Sequence, residues 1–418
     1  MADAGKAGPI IDFNHESPEH AANWAEEFRE LRATCPLGWT EAHGGFWVAT
    51  KYEDVLAITR DPKTFSSEKT FNPDTGESKG GLAIPPVPNA RSVPIEVDPP
   101  EWEKYRRLIN PKLGPGVIEK HRPEARRLAA ALVDRFIEKG KCDFVDDLTN
   151  PLPALVTMKF FGLALDEFEK FANPLHEVYS IPRNTPEFLE AVKGLEWMHR
   201  RLQEEIEARR AKPKDDFIGY IVQARVDGEP LPDDIMREIF FNVMAGGVDT
   251  TTALTSNVLL HLNDHHEDRQ RLAENPAMLP VACEEFVRFF SPIHGFARNV
   301  KQEVTISGRT MQPGDRVFLA YASANRDEDN FDKPDKVDIA RFPNRHMGFG
   351  AGIHRCVGSF LARVMFEEMM KEVLARIPDY VIDRAASRHY SSVAAINGWN
   401  KLPATFTPGS RVGAELGF

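Results

Sequence analysis

One cysteine sits in a loop rich in glycine and positive charge: Phe349-Gly350-Ala351-Gly352-Ile353-His354-Arg355-Cys356, then Val357 and Gly358. A thiol becomes a nucleophile or a metal ligand as the thiolate, a form that nearby cations and the N–H groups of a helix start favour. His354 and Arg355 supply the charge, and the apolar spacing predicts a helix from about Val357 to Ala375. Glycine loses the most backbone freedom on folding, so its density here signals tight turns and close approach. Gly358, one turn into the predicted helix, leaves room for a flat ligand. Two chemistries fit. A protease-type nucleophile would need a histidine base, for which no local signature exists. A metal-bound thiolate beside a bulky planar cofactor accounts better for the glycines.

A second stretch, Ala245-Gly246-Gly247-Val248-Asp249-Thr250-Thr251-Thr252-Ala253, lies inside a long apolar segment. Each glycine costs roughly 1 kcal/mol in a helix interior, and the threonines are mediocre helix formers. Close packing against another helix explains the glycines. It does not explain a carboxylate and a hydroxyl set into an apolar helix, where an unpaired charge is expensive. Asp249 beside Thr250 is a plausible proton relay. A third stretch, Glu284-Glu285-Phe286-Val287-Arg288, places Glu285 and Arg288 three apart on one helical face. Taken alone that spacing is equally a surface ion pair.

The elements that must position these groups are mostly helical. Ser17-Pro18-Glu19 starts a helix. Residues 38–50 read as a hairpin turning at Gly44-Gly45, with a helix following over about 52–59. Residues 66–97 show weak periodicity and are read as either a surface excursion or a lid over a ligand. Helical spacing dominates from Pro100 to Pro213, with breaks near Gly114-Pro115, Gly140, Pro151 and Pro182. A long interior helix runs from near Pro232 past Leu260, another spans Leu279 to Phe290, and 304–323 alternates like a small sheet. In the last helix Leu361, Met365, Met369 and Val373 share one stripe.

Length and charge narrow the partners. The 418 residues allow one large domain or two lobes. Acidic residues number 63 against 52 basic ones, for a net charge of -11, which argues against nucleic acid as the main partner. There is no signal-like start and no apolar run long enough to span a membrane, so a cytoplasmic protein is expected. Cys35, Cys142 and Cys283 show no paired spacing and read as buried apolar groups. His261 and His265 could chelate a metal at i and i+4, but no third ligand is set by the pattern, so a polar helix end is preferred. The run at 204–216 reads as a solvated helix end.

Together these elements resemble the cytochrome P-450 family of haem-thiolate monooxygenases, over about residues 20 to 405. FGAGIHRCVG matches the family's haem-binding loop, AGGVDTT its oxygen-binding helix and EEFVR its Glu-x-x-Arg helix, in the right order. Arg341 falls where the family keeps the third member of the Glu-Arg network. The resemblance implies a mainly α fold in a single domain over 1–418. Its β-rich part would be about 38–60 and 293–325 with C-terminal strands, and its helical part about 98–290 and 356–376. Haem b would lie between the oxygen-binding helix and the cysteine loop. Cys356 would be the axial thiolate of the haem iron. Asp249 and Thr250 would deliver protons to dioxygen, and Gly246 and Gly247 would open the groove beside it. Phe349 and Gly358 would touch the haem, while Glu285, Arg288 and Arg341 would hold the core beneath it. Arg106, Arg298 and His354 look like partners of the haem propionates. Where many bacterial relatives carry a histidine after Asp98-Pro99-Pro100-Glu101, this chain has Trp102, whose indole N–H could serve the same propionate.

The implied activity is insertion of one oxygen atom from O2 into a C–H bond of a lipophilic small molecule, as hydroxylation or oxidative dealkylation. Electrons would come from NAD(P)H through a reductase and a ferredoxin. Lys104, Arg107, Lys112, Arg345 and Arg355 form a basic patch suited to an acidic ferredoxin. The pocket would draw on the 66–97 and 171–185 regions, Ala245, Val248, and Pro292 to Phe296, including Ile293, His294 and Phe296. A monomer is expected. A peroxide-driven relative and a haem sensor or carrier without turnover are the competing readings. Peroxide-driven relatives commonly lose the acid–alcohol pair that Asp249 and Thr250 retain.

Overall fold

In the computed structural model of this chain, which describes residues 9–72, 74–87, 91–181 and 185–418, helix starts follow the local chemistry of the sequence. Ser17 caps helix Pro18–Thr34 by accepting the N–H of His20 at 3.0 Å, with Pro18 in the first helical position. Thr185 caps the helix Pro186–Ala211 in the same way, through Phe188 N–H at 3.2 Å. The break expected at Pro182 lies outside the described residues.

The long helix spans Asp233–Asp264. It crosses the interior, with Met244, Val248, Asp249, Leu254 and Val258 buried, and helices Pro151–Phe161 and Ser359–Arg376 pack against it. Apolar side chains from these helices and from Arg122–Asp134 form the main core, to which Leu361, Met365, Met369 and Val373 contribute their predicted stripe. Among the described residues no helix is long and apolar enough to cross a membrane.

The main sheet has five strands, in the spatial order 37–40, 46–49, 316–320, 295–300 and 65–66. Trp39 faces Trp47 across the predicted hairpin. The strand Phe46–Ala49 then runs parallel to Arg316–Ala320, and Arg298 pairs in register with Val317.

Two expectations change. Residues 66–97 contain a hairpin, Lys69–Asn72 against Glu77–Gly80, and the segment is fastened down. Buried Glu96 accepts the N–H groups of Leu82 and Ser92, both at 3.0 Å, and Asn242 of the long helix donates to Val93 O at 3.2 Å. The alternation is short because a two-strand ribbon needs little sequence; residues 73 and 88–90 lie outside the described residues. The run at 204–216 is not wholly solvated either. Arg209 is 1% exposed and binds Asp216 at 2.8 Å, Gly162 O at 2.8 Å, and Glu205. A guanidinium can be buried when every donor finds an acceptor.

Candidate active site

Cys356 follows a short turn at Gly352–His354, and the last helix begins only at Ser359, with Gly358 as its cap. The predicted start at Val357 is therefore two residues early, and Gly358 stands just before the helix rather than a turn into it. Gly358 ends up beside the sulfur, and its backbone N–H is directed at Cys356 Sγ. The loop closes through Cys356 N–H to Phe349 O at 2.8 Å. Gly352 is required by both space and conformation. Its φ is +65° and a Cβ would sit 2.2 Å from Thr59 O.

Cys356 is accessible yet ringed by protein. Burial pushes its thiol up from the ordinary range. The Gly358 N–H and the charges of Arg106, Arg355 and Arg363 work the other way. Arg363 has no counterpart in the sequence reading. It holds Glu284 through two bonds of 2.6 and 2.7 Å and lies 4.3 Å over the Phe349 ring. Phe349 is thus a platform stacked on a cation under the loop. Nothing in the local spacing of Arg363 marks it, because its partners come from two other segments.

The long helix carries the second glycine-rich stretch. A Cβ added to Gly246 would meet nothing within 4 Å, and the same holds for Gly358. Gly247 differs: its Cβ would lie 3.1 Å from Thr157 Oγ1. So Gly246 faces open space, while Gly247 permits close approach of the helix Pro151–Phe161. The expectation that both glycines open one groove is corrected, since successive helical residues point about 100° apart. Thr250 Oγ1 donates to Gly246 O at 2.7 Å. Asp249 has no accessible surface. It does not bond Thr250; its carboxylate is held by His176 and Tyr390. Neither partner stood out in the sequence. Tyr390 is 141 residues away from Asp249, and long-range pairing leaves no periodic trace.

A third group gathers at one edge. The rings of Trp102 and His354 meet edge to face at 6.0 Å, and Arg106 lies 5.8 Å from the Trp102 ring centre. Arg106 also donates to Arg355 O at 3.0 Å, which ties helix Glu101–Ile109 to the cysteine loop. His354 exchanges a hydrogen bond with Ser67 at 2.8 Å. Burial, followed by the charges of Arg298 and Arg106, depresses the His354 imidazole to about 3. Arg298, 3% exposed, donates to the carbonyl of Ala297. Among the described residues neither Arg106 nor Arg298 faces a carboxylate, and buried Trp102 Nε1 and Arg106 Nε have no partner. Unmet buried donors cost about 1–3 kcal/mol each. This edge is built for anions that the protein itself does not provide.

The pocket residues divide. Ala245 is 7% exposed, and Ile293 and Phe296 are partly accessible. Val248 has no accessible surface and belongs to the main core rather than a pocket wall. His294 is 1% exposed, and its ring lies 4.5 Å from Trp24 and 6.2 Å from His20, so it faces the first helix instead of a ligand. His294 lies just before strand Gly295–Val300, and its aromatic neighbours Trp24 and Phe28 on the first helix hold it there. Tyr179, in the 171–185 region expected to line the pocket, packs like Ile293 and Ala395 against the buried cluster of Ala253, Tyr390 and Ile396, near Asp249. His261 and His265 stack face to face at 3.9 Å, a parallel arrangement that does not converge on a metal.

These residues fit a haem. Gly246 and Gly358 each stand against open space, Cys356 supplies a thiol, and the unmet donors Trp102 Nε1 and Arg106 Nε suit a propionate. The sequence profile of the family Cytochrome P450 matches residues 75–377. "Cytochrome P450-terp" of a Pseudomonas species is 28% identical over 398 residues, covering 91% of this chain and 92% of that protein. "Linalool 8-monooxygenase" of Pseudomonas putida is 30% identical over 397 residues, covering 91% and 95%. Among solved structures, a mutant of P450 EryK in complex with erythromycin B superposes with a TM-score of 0.83 at 26% identity, covering 95% of this chain and 99% of that one. CYP109E1 from Bacillus megaterium in complex with corticosterone gives a TM-score of 0.81 at 27% identity, covering 93% and 100%. The chain is therefore a member of the cytochrome P450 family, an oxidoreductase that binds haem b and incorporates molecular oxygen into its substrate.

Proposed function

We propose that Cys356 is the axial thiolate of the haem and that the chain hydroxylates or oxidatively dealkylates a lipophilic small molecule. Bound haem supplies the oxygen activation, and thiolate ligation favours O–O cleavage. Trp102, Arg106, Arg298 and His354 would hold the propionates. Gly246 keeps the oxygen side open, and Thr250 presents its hydroxyl there, one residue from the buried acid Asp249. The observation that carries this reading is the meeting of Trp102, Arg106, Arg298 and His354 beside the Cys356 loop, with the buried donors Trp102 Nε1 and Arg106 Nε unmet among the described residues.

Ala245, Ile293, Phe296 and Tyr179 would line an apolar pocket with one phenol. That composition suits a terpenoid or steroid skeleton, in line with relatives named for linalool and for steroid C26 oxidation. The electron donor is an acidic ferredoxin that meets the basic residues around the cysteine loop. Carbon monoxide added to the ferrous holoprotein should give the far-red Soret band of thiolate ligation. NADH with a surrogate ferredoxin and its reductase should then turn over a lipophilic compound that displaces the iron's water ligand in a spectral screen. Absence of that Soret band overturns the ligand assignment. Turnover with peroxide but not with dioxygen would favour a peroxygenase.

A further inference from the structure

Asp249 is gripped by two side chains to which the proposed reaction gives no role. His176 Nδ1 lies 2.7 Å from Asp249 Oδ1. The Tyr390 hydroxyl reaches Oδ1 at 2.9 Å and Oδ2 at 3.1 Å, and stands 3.0 Å from His176 Nδ1. Asp249 has no accessible surface and Tyr390 only 2%, whereas the His176 side chain keeps 11%. The outer edge of the trio is therefore the imidazole.

Resting on the function proposed above, we propose that His176 and Tyr390 are positioning residues for Asp249: they keep it ionised, fix its direction, and make His176 the point where protons reach it. A carboxylate buried without partners takes up a proton and becomes neutral, and a neutral acid cannot accept another. An imidazolium at 2.7 Å compensates the charge. The phenol, donating to the same carboxylate, holds the group in one orientation. The proton balance is simple. The imidazolium gives its Nδ1 proton to Asp249 Oδ1, leaving neutral histidine and a carboxylic acid. With its bond to the now neutral imidazole given up, the acid turns toward the Thr250 side, gives that proton to water there, and swings back as the carboxylate. The ring turns to present its vacated nitrogen to water, recovers a proton, and turns back.

The groups facing His176 agree with this role. They are Asp249 on the long helix, Tyr390 on the C-terminal segment, Asp146 before helix Pro151–Phe161, and Glu177 on its own helix. Burial of the ring opposes its charge, but Asp249 and then the two further acids outweigh burial and raise it above the ordinary histidine value. The shift is in the direction that favours the imidazolium the relay requires.

Infrared spectroscopy of the purified holoprotein tests the proposal. Near neutral pH the wild type should show no protonated-carboxyl band that Asp249→Asn removes. His176→Gln should create such a band, and the double variant His176→Gln/Asp249→Asn should lack it. Should His176→Gln not fold, Tyr390→Phe carries the same test and should show a weaker band. Dioxygen uptake driven by NADH through a surrogate ferredoxin and its reductase should fall in the wild type as pH rises through the His176 titration. In His176→Gln it should be roughly tenfold slower near neutrality, a modest share of what positioned acid–base groups supply, and flat with pH. No new band together with an unchanged pH profile would reduce the trio to a structural peg and overturn the proposal. The carbon monoxide spectrum of the wild type separates that result from failure of the haem-thiolate reading, because the infrared band does not depend on the iron's ligand.

Discussion

Glu285 and Arg288 form a closed fork: Arg288 Nε and Nη2 donate to the two oxygens of Glu285, each at 2.8 Å, and neither side chain has accessible surface. Arg341 Nε and Asn344 Nδ2 reach the same carboxylate at 3.0 Å, and the N–H of Asp338 at 2.8 Å. Arg288 spends its remaining donors on the carbonyls of Asn325, Pro334 and Lys336. One helical turn thereby holds the segment from 325 to 344, which leads directly into the cysteine loop.

Removing one partner of such a pair should be costly, because the other charge stays buried and unmet. Glu285→Ala should lose about 3–5 kcal/mol, a large share of a typical folding free energy. The expected outcome is a sharp fall in melting temperature and in the yield of haem-loaded protein. Exposed pairs such as Arg107–Glu103, with 81% and 49% of their side chains accessible, should give almost no change when broken.

Two glycines should respond in opposite ways to the same added methyl group. Gly246→Ala meets no atom within 4 Å in the protein and gains roughly 1 kcal/mol of helix propensity. The apoprotein should be slightly more stable, yet its haem content should drop, because the methyl group enters the space assigned to the ligand side. Gly352→Ala forces a Cβ to within 2.2 Å of Thr59 O at a φ of +65°. It should destabilise the apoprotein as well. Melting curves of apo and haem-loaded forms separate the two effects.

Much of the fold was readable because its signals are local, whereas Arg106, Arg298 and His354, from three separate segments, were expected only through the family resemblance. The capping serine at 17, the hairpin about Gly44-Gly45 and the stripe from Leu361 to Val373 each fit in a window of a few turns. Cys356, Asp249 and Thr250 stood out because their types conflict with their surroundings. What stayed hidden depends on distant pairing. His176 and Tyr390 close on Asp249 from 73 and 141 residues away, and Arg363 reaches Glu284 from 79. His294 misled in a different way. A histidine beside a predicted pocket attracts a ligand role, but packing against Trp24, far earlier in the chain, decided its place.

Trp102 tests the propionate edge with little structural cost. Its Nε1 is buried and finds no acceptor in the protein, so Trp102→Phe removes no internal hydrogen bond. The ring contact with His354 is largely kept. Apoprotein stability should change by less than about 1.5 kcal/mol, whereas haem should dissociate faster to a scavenger such as apomyoglobin. Equal haem retention would mean that the indole N–H serves no propionate.

Stability should follow the charge of His176 in a defined direction. Its folded pKa is raised over the unfolded value by Asp249 against the opposing effect of burial. The stabilisation is thus complete below the unfolded pKa, near 6.5, and disappears as pH rises through the folded pKa. The difference in melting temperature between wild type and His176→Gln should be largest on the acid side and shrink toward alkaline pH. A difference that grows with pH would mean that the ring is neutral beside Asp249.

The basic face offers a test of how the electron donor is held. Lys104 is tied to Asp227 at 2.6 Å and Arg107 to Glu103 at 3.2 Å, so both have local carboxylates. Arg345 and Arg355 are exposed and, among the described residues, face no carboxylate, and Phe342 beside them is 86% exposed. Any lost cation weakens the long-range field equally, whether or not it was paired, but only a free guanidinium offers donors to a docked acidic partner. Lys104→Ala should therefore slow reduction by ferredoxin at low salt and match the wild type once ionic strength brings the screening length to about 8 Å. Arg345→Ala should stay slower at both ionic strengths, because a bidentate contact at close range is poorly screened. Stopped-flow reduction of the carbon monoxide-saturated protein across a salt series reads both effects. Identical salt curves for the two variants would show that the face steers the partner without gripping it.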